Sequence, residues 1–289
     1  MKIKEVMQKS LFVNSSLVIL KLLSGFIFKS ASLVADGIHS LSDLMSDILV
    51  LLGLKQTTKP PDDDHPLGHG KFEYVLSLLL GIGVIGVAYQ LFVSVIKKLS
   101  EPISIPSPLS LVVVLIAVIS KYFLAKYLAK KGDDLNSLVI KSSGKESLAD
   151  VISSFVVLFG IGFALLSQYT SLDFLVYGDL IAGLIIGLFI LKVALEIIYD
   201  AIFSLLGKSA DGKLMHSIKE EILMIPGVLN VDKLQMIEYG YYYQVMIDIA
   251  VNASISVKEG HDIASMCKKT LLNHESITHV IVHVNPYEE

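Results

Sequence analysis

Two short segments each place a pair of metal-binding side chains four residues apart. The first, "ADGIHSLSD", contains His39 and Asp43, and the second, "KSSGKESLADVISS", contains Glu146 and Asp150. Residues four apart lie on one face of a helix, so two such helices can enclose four nitrogen and oxygen ligands. A set of that kind suits a tetrahedral cation. We therefore predict a cation site formed by these two pairs.

Both pairs lie in or beside long apolar segments of the sequence. An ionisable side chain inside a membrane span is energetically expensive and is by default a candidate for function. The alternative is that each pair lies near a helix end and reaches water. Two matched pairs on separate segments favour a functional site. Asp36 and Asp47 extend the first stripe by one turn in either direction, and we assign them no role.

A polar, proline-rich loop, "KQTTKPPDDDHPLGHGKFE", holds a second group of possible ligands. Asp62, His65 and His69 lie close together in it and can bind a metal ion. Loops are polar in any case, so an acidic solvated loop explains the same residues. Both interpretations stay open at this stage.

The composition is that of a membrane protein. Of 289 residues, 53% are hydrophobic and 18% are charged, and the mean hydropathy is +0.65. Six apolar segments reach the roughly 20 residues that a membrane-spanning helix needs. These predicted spans are 11–28, 33–54, 74–96, 109–128, 148–166 and 175–206. The first lacks the cleavage site of a signal peptide, so we count it as a mature span.

Lysines are concentrated on the side of the spans that carries both chain ends. They are Lys2, Lys4, Lys9, Lys55, Lys59, Lys71, Lys126, Lys130, Lys131, Lys141 and Lys145. The opposite side has Lys29, Lys97 and Lys98. By the positive-inside rule, both termini are expected in the cytoplasm, with the chain in a bacterial inner membrane.

The basic residues and the cysteine count exclude several other classes. All 24 basic residues are lysines, and the net charge is −4. Arginine is the usual residue for bidentate phosphate recognition, so its absence argues against nucleic-acid binding. With Cys267 as the single cysteine, an intrachain disulfide and a cysteine-paired zinc site are both excluded.

After the last span the sequence changes to the pattern of a small soluble domain. Its periodicity predicts a helix, two strands, a second helix and a third strand, at 211–224, 228–237, 242–251, 257–273 and 278–284. We therefore predict a six-helix transmembrane domain over 1–206 and an αββαβ domain over 207–289. Scattered histidines on such a domain are usually surface residues.

The sequence resembles the cation diffusion facilitator family of divalent metal/proton antiporters over essentially its whole length. "SASLVADGIHSLSD" is similar to the second-span signature of that family, and "GKESLADVISS" is similar to its fifth-span signature. The resemblance implies that His39, Asp43, Glu146 and Asp150 are the transport ligands. It also implies a homodimer, a cytoplasmic metallochaperone-like α+β domain, and export of zinc, manganese or iron in exchange for protons.

The resemblance implies two further metal sites. "DDDHPLGHGKFE" is similar to a loop that holds a secondary site in some members, which places Asp62, His65 and His69 on its ligand positions. Members with a binuclear cytoplasmic site carry ligands at four positions of the last domain. In this chain those positions are Asp232, Asp248, His261 and His283.

The departures from the family pattern carry information about the metal. Glu146 stands where members typically have histidine, so the site has one nitrogen and three carboxylate ligands. Harder ligands favour manganese or iron(II), although the general affinity order still favours zinc. Asn285 and Gly207 stand where some members have aspartates, the second of which pairs with the lysine corresponding to Lys71. The first departure speaks against a binuclear zinc site in the last domain, and at the second other contacts are expected.

Other functions stay open on the same residues. Three carboxylates can also hold Na⁺, which would make the protein a monovalent cation/proton antiporter on the same scaffold. A metal sensor with a vestigial pathway is a further alternative. A membrane metalloenzyme is disfavoured, because four ligands leave no open position for water and no "HExxH" pair occurs. We predict a secondary active transporter rather than an enzyme.

Overall fold

The computed structural model describes residues 2–57, 59, 61–99, 104–134, 138–240 and 242–287. The side chains of Lys2, Lys4, Asp47, Lys55 and Lys141, which entered the sequence predictions, lie outside the described part. The chain divides into two compact units. One comprises Met1–Ile48 and Leu80–Glu196, and the other comprises Leu49–Leu79 and Ile197–Glu289.

In the part of the chain that the structure describes, six long helices correspond to the six predicted spans. They are α1 (Lys2–Ile27), α2 (Ala31–Thr57), α3 (Phe72–Leu99), α4 (Leu109–Asp134), α5 (Leu138–Leu166) and α6 (Gly178–Leu205). Two short 3₁₀ turns, Ser167–Tyr169 and Asp173–Tyr177, connect α5 to α6. Within the described residues, every long helix except α2 contains a window apolar enough to cross a membrane. Helix α2 has 27 residues and is long enough to span. The predicted membrane bundle is confirmed.

The helices of the first unit bury small and branched apolar residues against one another. Fully buried examples are Val114, Ala117, Val157, Ile161 and Ile186. Their outward faces carry large apolar side chains instead, including Phe12, Phe26, Phe123, Phe159 and Leu188. An outer surface of this kind suits lipid tails rather than water.

A buried carboxylate fixes the beginning of α2. Asp179, in the first turn of α6, accepts hydrogen bonds from the backbone N–H of Ala31 at 2.6 Å and of Ser32 at 3.2 Å. The hydroxyls of Ser30 and Ser32 donate to the same carboxylate. Asp179 thus satisfies N–H groups that the first turn of α2 cannot pair internally. It also lies at the positive ends of two helix dipoles.

The second unit contains the predicted αββαβ domain. Its elements are α7 (Gly212–Leu223), β1 (Asn230–Tyr239), β2 (Tyr242–Val251), α8 (Val257–Leu272) and β3 (Ile277–Pro286). The sheet has the order β1-β2-β3, antiparallel between β1 and β2 and parallel between β2 and β3. Since parallel strands need a crossover, α8 connects β2 to β3. This element order confirms the predicted fold class.

The loop that precedes α3 packs on the turn between β1 and β2. The backbone N–H of Gly70 donates to the hydroxyl oxygen of Tyr242 at 3.0 Å, and that hydroxyl donates to the carbonyl of Leu67 at 3.1 Å. In the same region Gly240 donates its N–H to the Tyr74 hydroxyl at 2.8 Å. Gly240 has φ +71°, a conformation that favours glycine.

Lys71, for which the sequence suggested no acidic partner, contacts a backbone carbonyl and an aromatic ring. Its Nζ donates to the backbone carbonyl of Leu205 at 3.0 Å. The same ammonium lies 5.2 Å from the centre of the Tyr239 ring, within the range of a cation–π interaction. A carbonyl and an aromatic face therefore hold the Lys71 ammonium group.

Candidate metal centre

Three of the four residues predicted for the bundle site converge between α2 and α5. Helix α2 presents His39 and Asp43 one turn apart, and α5 presents the buried Asp150. One ligand atom from each of these residues lies within 4.8 Å of the others. His39 Nε2 is 3.7 Å from Asp150 Oδ1. One imidazole and two carboxylates are thus arranged around a common point.

Glu146 lies one turn before Asp150 on α5 but is not part of this close group. Its side chain is exposed, whereas that of Asp150 is only 9% exposed. Glu146 is still near enough to Asp43 for the two carboxylates to interact electrostatically. Its role as the fourth ligand stays a prediction.

Lys121 is the residue of this site that the sequence analysis missed. It lies in the middle of α4, is 3% exposed, and donates from Nζ to Asp150 Oδ2 at 2.5 Å. Asp150 therefore has one oxygen towards Lys121 and the other towards His39. The available signal was a lysine inside the predicted fourth span, because intramembrane charges are rare and usually functional.

A second buried lysine gives Asp36 a partner. Lys21 Nζ on α1 lies 2.7 Å from Asp36 Oδ2 on α2, and both side chains are almost completely buried. The ammonium also donates to the hydroxyls of Ser40 at 3.1 Å and Ser154 at 3.3 Å. Ser154 in turn donates to Asp36 Oδ2 at 3.1 Å. The pair joins α1, α2 and α5.

The charges around the bundle site favour a divalent cation. In their ionised forms, Asp43, Glu146 and Asp150 would contribute three negative charges and Lys121 one positive charge, a formal excess of two. Charges in a water-poor interior interact more strongly than in water, so this excess attracts cations effectively. An imidazole nitrogen with carboxylate oxygens is a donor set for zinc, manganese or iron(II).

The loop residues predicted as a second site also converge, within the second unit. Asp62 Oδ1 lies 3.3 Å from His65 Nδ1, and Asp62 Oδ2 lies 3.4 Å from His69 Nε2. The two imidazole rings are 4.4 Å apart between centres. A hydrogen bond from the His65 backbone N–H lowers the pKa of Asp62 below its ordinary value. The carboxylate is thereby kept in the ionised form that binds metal.

Asp232, in the last domain, accepts hydrogen bonds from two asparagine side chains. The Nδ2 groups of Asn230 and Asn285 each donate to one of its carboxylate oxygens, both at 3.0 Å. The Asn285 amide thus acts as a donor to the neighbouring candidate ligand. An aspartate at that position would add a second acceptor instead.

The other three candidates of the last domain do not join Asp232 in a compact group. Asp248 on β2 faces His283 on β3 in the sheet register, and His261 on α8 lies 3.4 Å from the hydroxyl of Ser265. Among the described residues, the groups with three ligand atoms close together are those of the bundle and of the loop. The C-terminal site stays a prediction.

The fold is that of a helical membrane protein with a cluster of candidate metal ligands between its helices. Residues 7–206 match the family model of the cation efflux transmembrane domain, and residues 210–287 match that of the cytoplasmic domain of cation efflux proteins. The chain therefore belongs to the cation diffusion facilitator family, a family of metal transporters.

Relatives are similar along almost their whole lengths. The manganese efflux system protein MneP of Bacillus subtilis is 30% identical over 97% of this chain and 95% of its own. An uncharacterized transporter of Methanocaldococcus jannaschii is 32% identical over 96% of this chain and 95% of its own. The manganese efflux system protein MneS of Bacillus subtilis is 28% identical over 93% of this chain and 91% of its own.

Proposed function

We propose that the protein is a secondary active transporter that exports a divalent transition metal from the cytoplasm in exchange for protons. The observation that carries this proposal is the convergence of His39, Asp43 and Asp150 inside the helical bundle. Manganese is the first metal to test, ahead of iron(II) and zinc. The site is rich in carboxylates, and two relatives are named manganese efflux proteins.

Proton coupling follows from the chemistry of the ligands. Carboxylates and imidazole bind a metal ion only in their deprotonated forms, so metal and protons compete for the same atoms. Metal binding from the cytoplasm releases protons, and protons arriving from the opposite side displace the metal. Glu146 completes the ligand set when the metal is bound.

We further propose a location and a topology in the membrane. The protein lies in the bacterial inner membrane with both termini in the cytoplasm, as the lysine distribution predicts. Each protomer of a homodimer carries its own pathway, with residues 1–206 forming the transport domain and 207–289 the cytoplasmic domain. The loop group of Asp62, His65 and His69 is a secondary metal site.

Transport in proteoliposomes tests the proposal directly. An inward metal gradient is imposed, and the pH of the lumen is followed with a trapped dye. His39→Ala, Asp43→Ala and Asp150→Ala are expected to abolish metal-driven proton flux. His216→Ala, which changes an exposed histidine of α7, is the matched control and should retain it. Wild-type flux in any of the three site variants would contradict the ligand assignment.

A comparison of cations separates the alternative function. Because the site is rich in carboxylates, a Na⁺/proton antiporter would use the same residues. Everted vesicles are supplied with Na⁺, Mn²⁺ or Zn²⁺, and proton movement is recorded for each. A response to Na⁺ with none to the divalent ions would replace the proposed function with this alternative.

A further inference from the structure

We propose that Lys121 is a resident cation of the transport site. Its ammonium group pairs with the Asp150 carboxylate when metal is absent. When metal is present, the same positive charge lowers the affinity of the site, so that the metal can be released. This inference rests on the proposed function, because it takes His39, Asp43 and Asp150 as the ligands. It adds a residue that tunes affinity without binding the metal.

Contact with water does not explain why a lysine stands at position 121. The residue lies at the middle of α4, between the buried side chains of Val118 and Leu124, and is 3% exposed. A charged side chain in such a place is retained when a specific partner requires it. That partner is Asp150, through the contact between Lys121 Nζ and Oδ2.

The two oxygens of Asp150 divide between the lysine and the metal group. Oδ1 faces His39 Nε2 at 3.7 Å, while Oδ2 accepts from Lys121. A metal ion among His39, Asp43 and Asp150 would therefore lie beside the ammonium group, and two like charges this close repel each other. The ion and the lysine compete for one carboxylate.

The lysine also matches the charge of the site to a divalent ion. With Lys121 present, the site has an excess of two negative charges, which a divalent ion neutralises and a monovalent ion does not. Without it, the loaded site would keep one uncompensated negative charge inside the bundle. In this balance Lys121 makes the loaded site formally neutral, while its positive charge lowers the attraction of the site for the ion.

Metal affinity in three variants tests this role. The dissociation constant for Mn²⁺ is measured by titration calorimetry on the full-length protein in detergent. Each variant is compared with the same variant carrying Asp43→Ala, which removes binding at other sites from the difference. Lys121→Gln is expected to bind Mn²⁺ at least about tenfold more tightly than wild type, because a nearby like charge has gone. Lys126→Gln removes an exposed lysine of the same helix and should stay within about twofold, since exposed charges are screened.

The direction in which Lys121→Gln changes the affinity for Mn²⁺ distinguishes a resident cation from a residue that only positions Asp150. If Lys121 only held Asp150 in place, Lys121→Gln would bind Mn²⁺ more weakly, and equal or weaker binding overturns the inference. Should Lys121→Gln fail to fold, Lys121→Arg decides. The guanidinium keeps the charge and grips a carboxylate with two donors, so weaker binding is expected and tighter binding overturns the inference.

The same data keep the two proposals apart. If Asp43→Ala leaves Mn²⁺ binding of the wild-type background unchanged, the proposed transport site itself is wrong. If Asp43→Ala removes binding but Lys121→Gln does not tighten it, the site stands and only the resident cation is refuted.

Discussion

Among the described residues of the helical bundle are two buried lysine–aspartate pairs, which differ in what surrounds them. Lys21 and Asp36 are enclosed by the hydroxyls of Ser40 and Ser154, and their side chains are 0% and 1% exposed. Lys121 and Asp150 are 4% and 9% exposed, and the second oxygen of Asp150 faces His39. The first pair has neutral neighbours, whereas the second adjoins further titratable ligands.

Burial of a charged side chain does not by itself identify a transport site. Both aspartates are buried in the bundle and both have a lysine partner, yet only Asp150 shares its carboxylate with a group that can bind metal. Breaking either pair leaves an unpaired buried charge. Metal binding should respond to only one of them.

Asp150→Ala is expected to have the largest effect, because it breaks a buried ion pair and removes a ligand. The free energy of unfolding should fall by about 3–5 kcal/mol as Lys121 loses its partner. Affinity for Mn²⁺ should fall by more than about 100-fold, beyond what loss of a supporting residue does. Thermal unfolding and calorimetry measure the two effects. Adding Lys121→Met should restore stability without restoring binding, and recovery of both would contradict a ligand role for Asp150.

Lys21→Met should lower stability as much as Asp150→Ala does, without lowering the affinity for Mn²⁺. Unfolding is again expected to become easier by about 3–5 kcal/mol, since Asp36 is left buried without its counter-ion. The folded fraction should retain its affinity for Mn²⁺ within about threefold, because the described contacts of Lys21 are with Asp36, Ser40 and Ser154 rather than with a predicted ligand. The double variant with Asp36→Leu should regain stability. A loss of Mn²⁺ binding as large as that of Asp150→Ala would erase the distinction between the pairs.

Glu146→His sharpens the assignment of the fourth ligand. A second imidazole makes the donor set softer, so the preference for Zn²⁺ over Mn²⁺ should rise by about tenfold. Competition between the two metals in everted vesicles measures the ratio. Glu146→Gln keeps the length of the side chain without its charge and serves as the control. An unchanged metal preference in Glu146→His would count against Glu146 as a ligand.

Ser154→Ala should have the smallest effect. The hydroxyl connects Lys21 and Asp36 through two hydrogen bonds, and loss of buried hydrogen bonds of this kind costs about 1–2 kcal/mol of unfolding free energy. Mn²⁺ affinity should not change. Ser153→Ala, one residue along the same helix, alters a hydroxyl that bonds only a local carbonyl among the described contacts, and should be nearly neutral.

The fold could be predicted because hydropathy fixes long apolar helices strongly. Residues 33–54 contain His39 and Asp43, yet their apolar content still predicted a span, and α2 covers them. Alternation along 242–251 likewise predicted β2, where Ile247 and Ile249 are buried. The pairing of β2 with β3 depends on contacts distant in sequence, and no local pattern reports it.

The site could be predicted only in part. Spacing of four residues brought His39 and Asp43 to one helix face, because helical geometry is local. The side chains of Lys21 and Lys121 are oriented by helix packing, which spacing within one helix does not reveal. Asn285 shows a related difficulty, since its partner Asp232 lies on another strand.

The Asp179 carboxylate has a mechanical consequence for the site helix. It ties Ala31 and Ser32, at the beginning of α2, to the beginning of α6. His39 lies eight residues further along α2, about 12 Å from Ala31 at 1.5 Å per residue. With that end held as a pivot, a tilt of about 10° would swing His39 sideways by about 2 Å at this rise per residue. Helix α2 would then move as a lever about a single acidic side chain, and the Lys21–Asp36 pair on the same segment would have to shift with it.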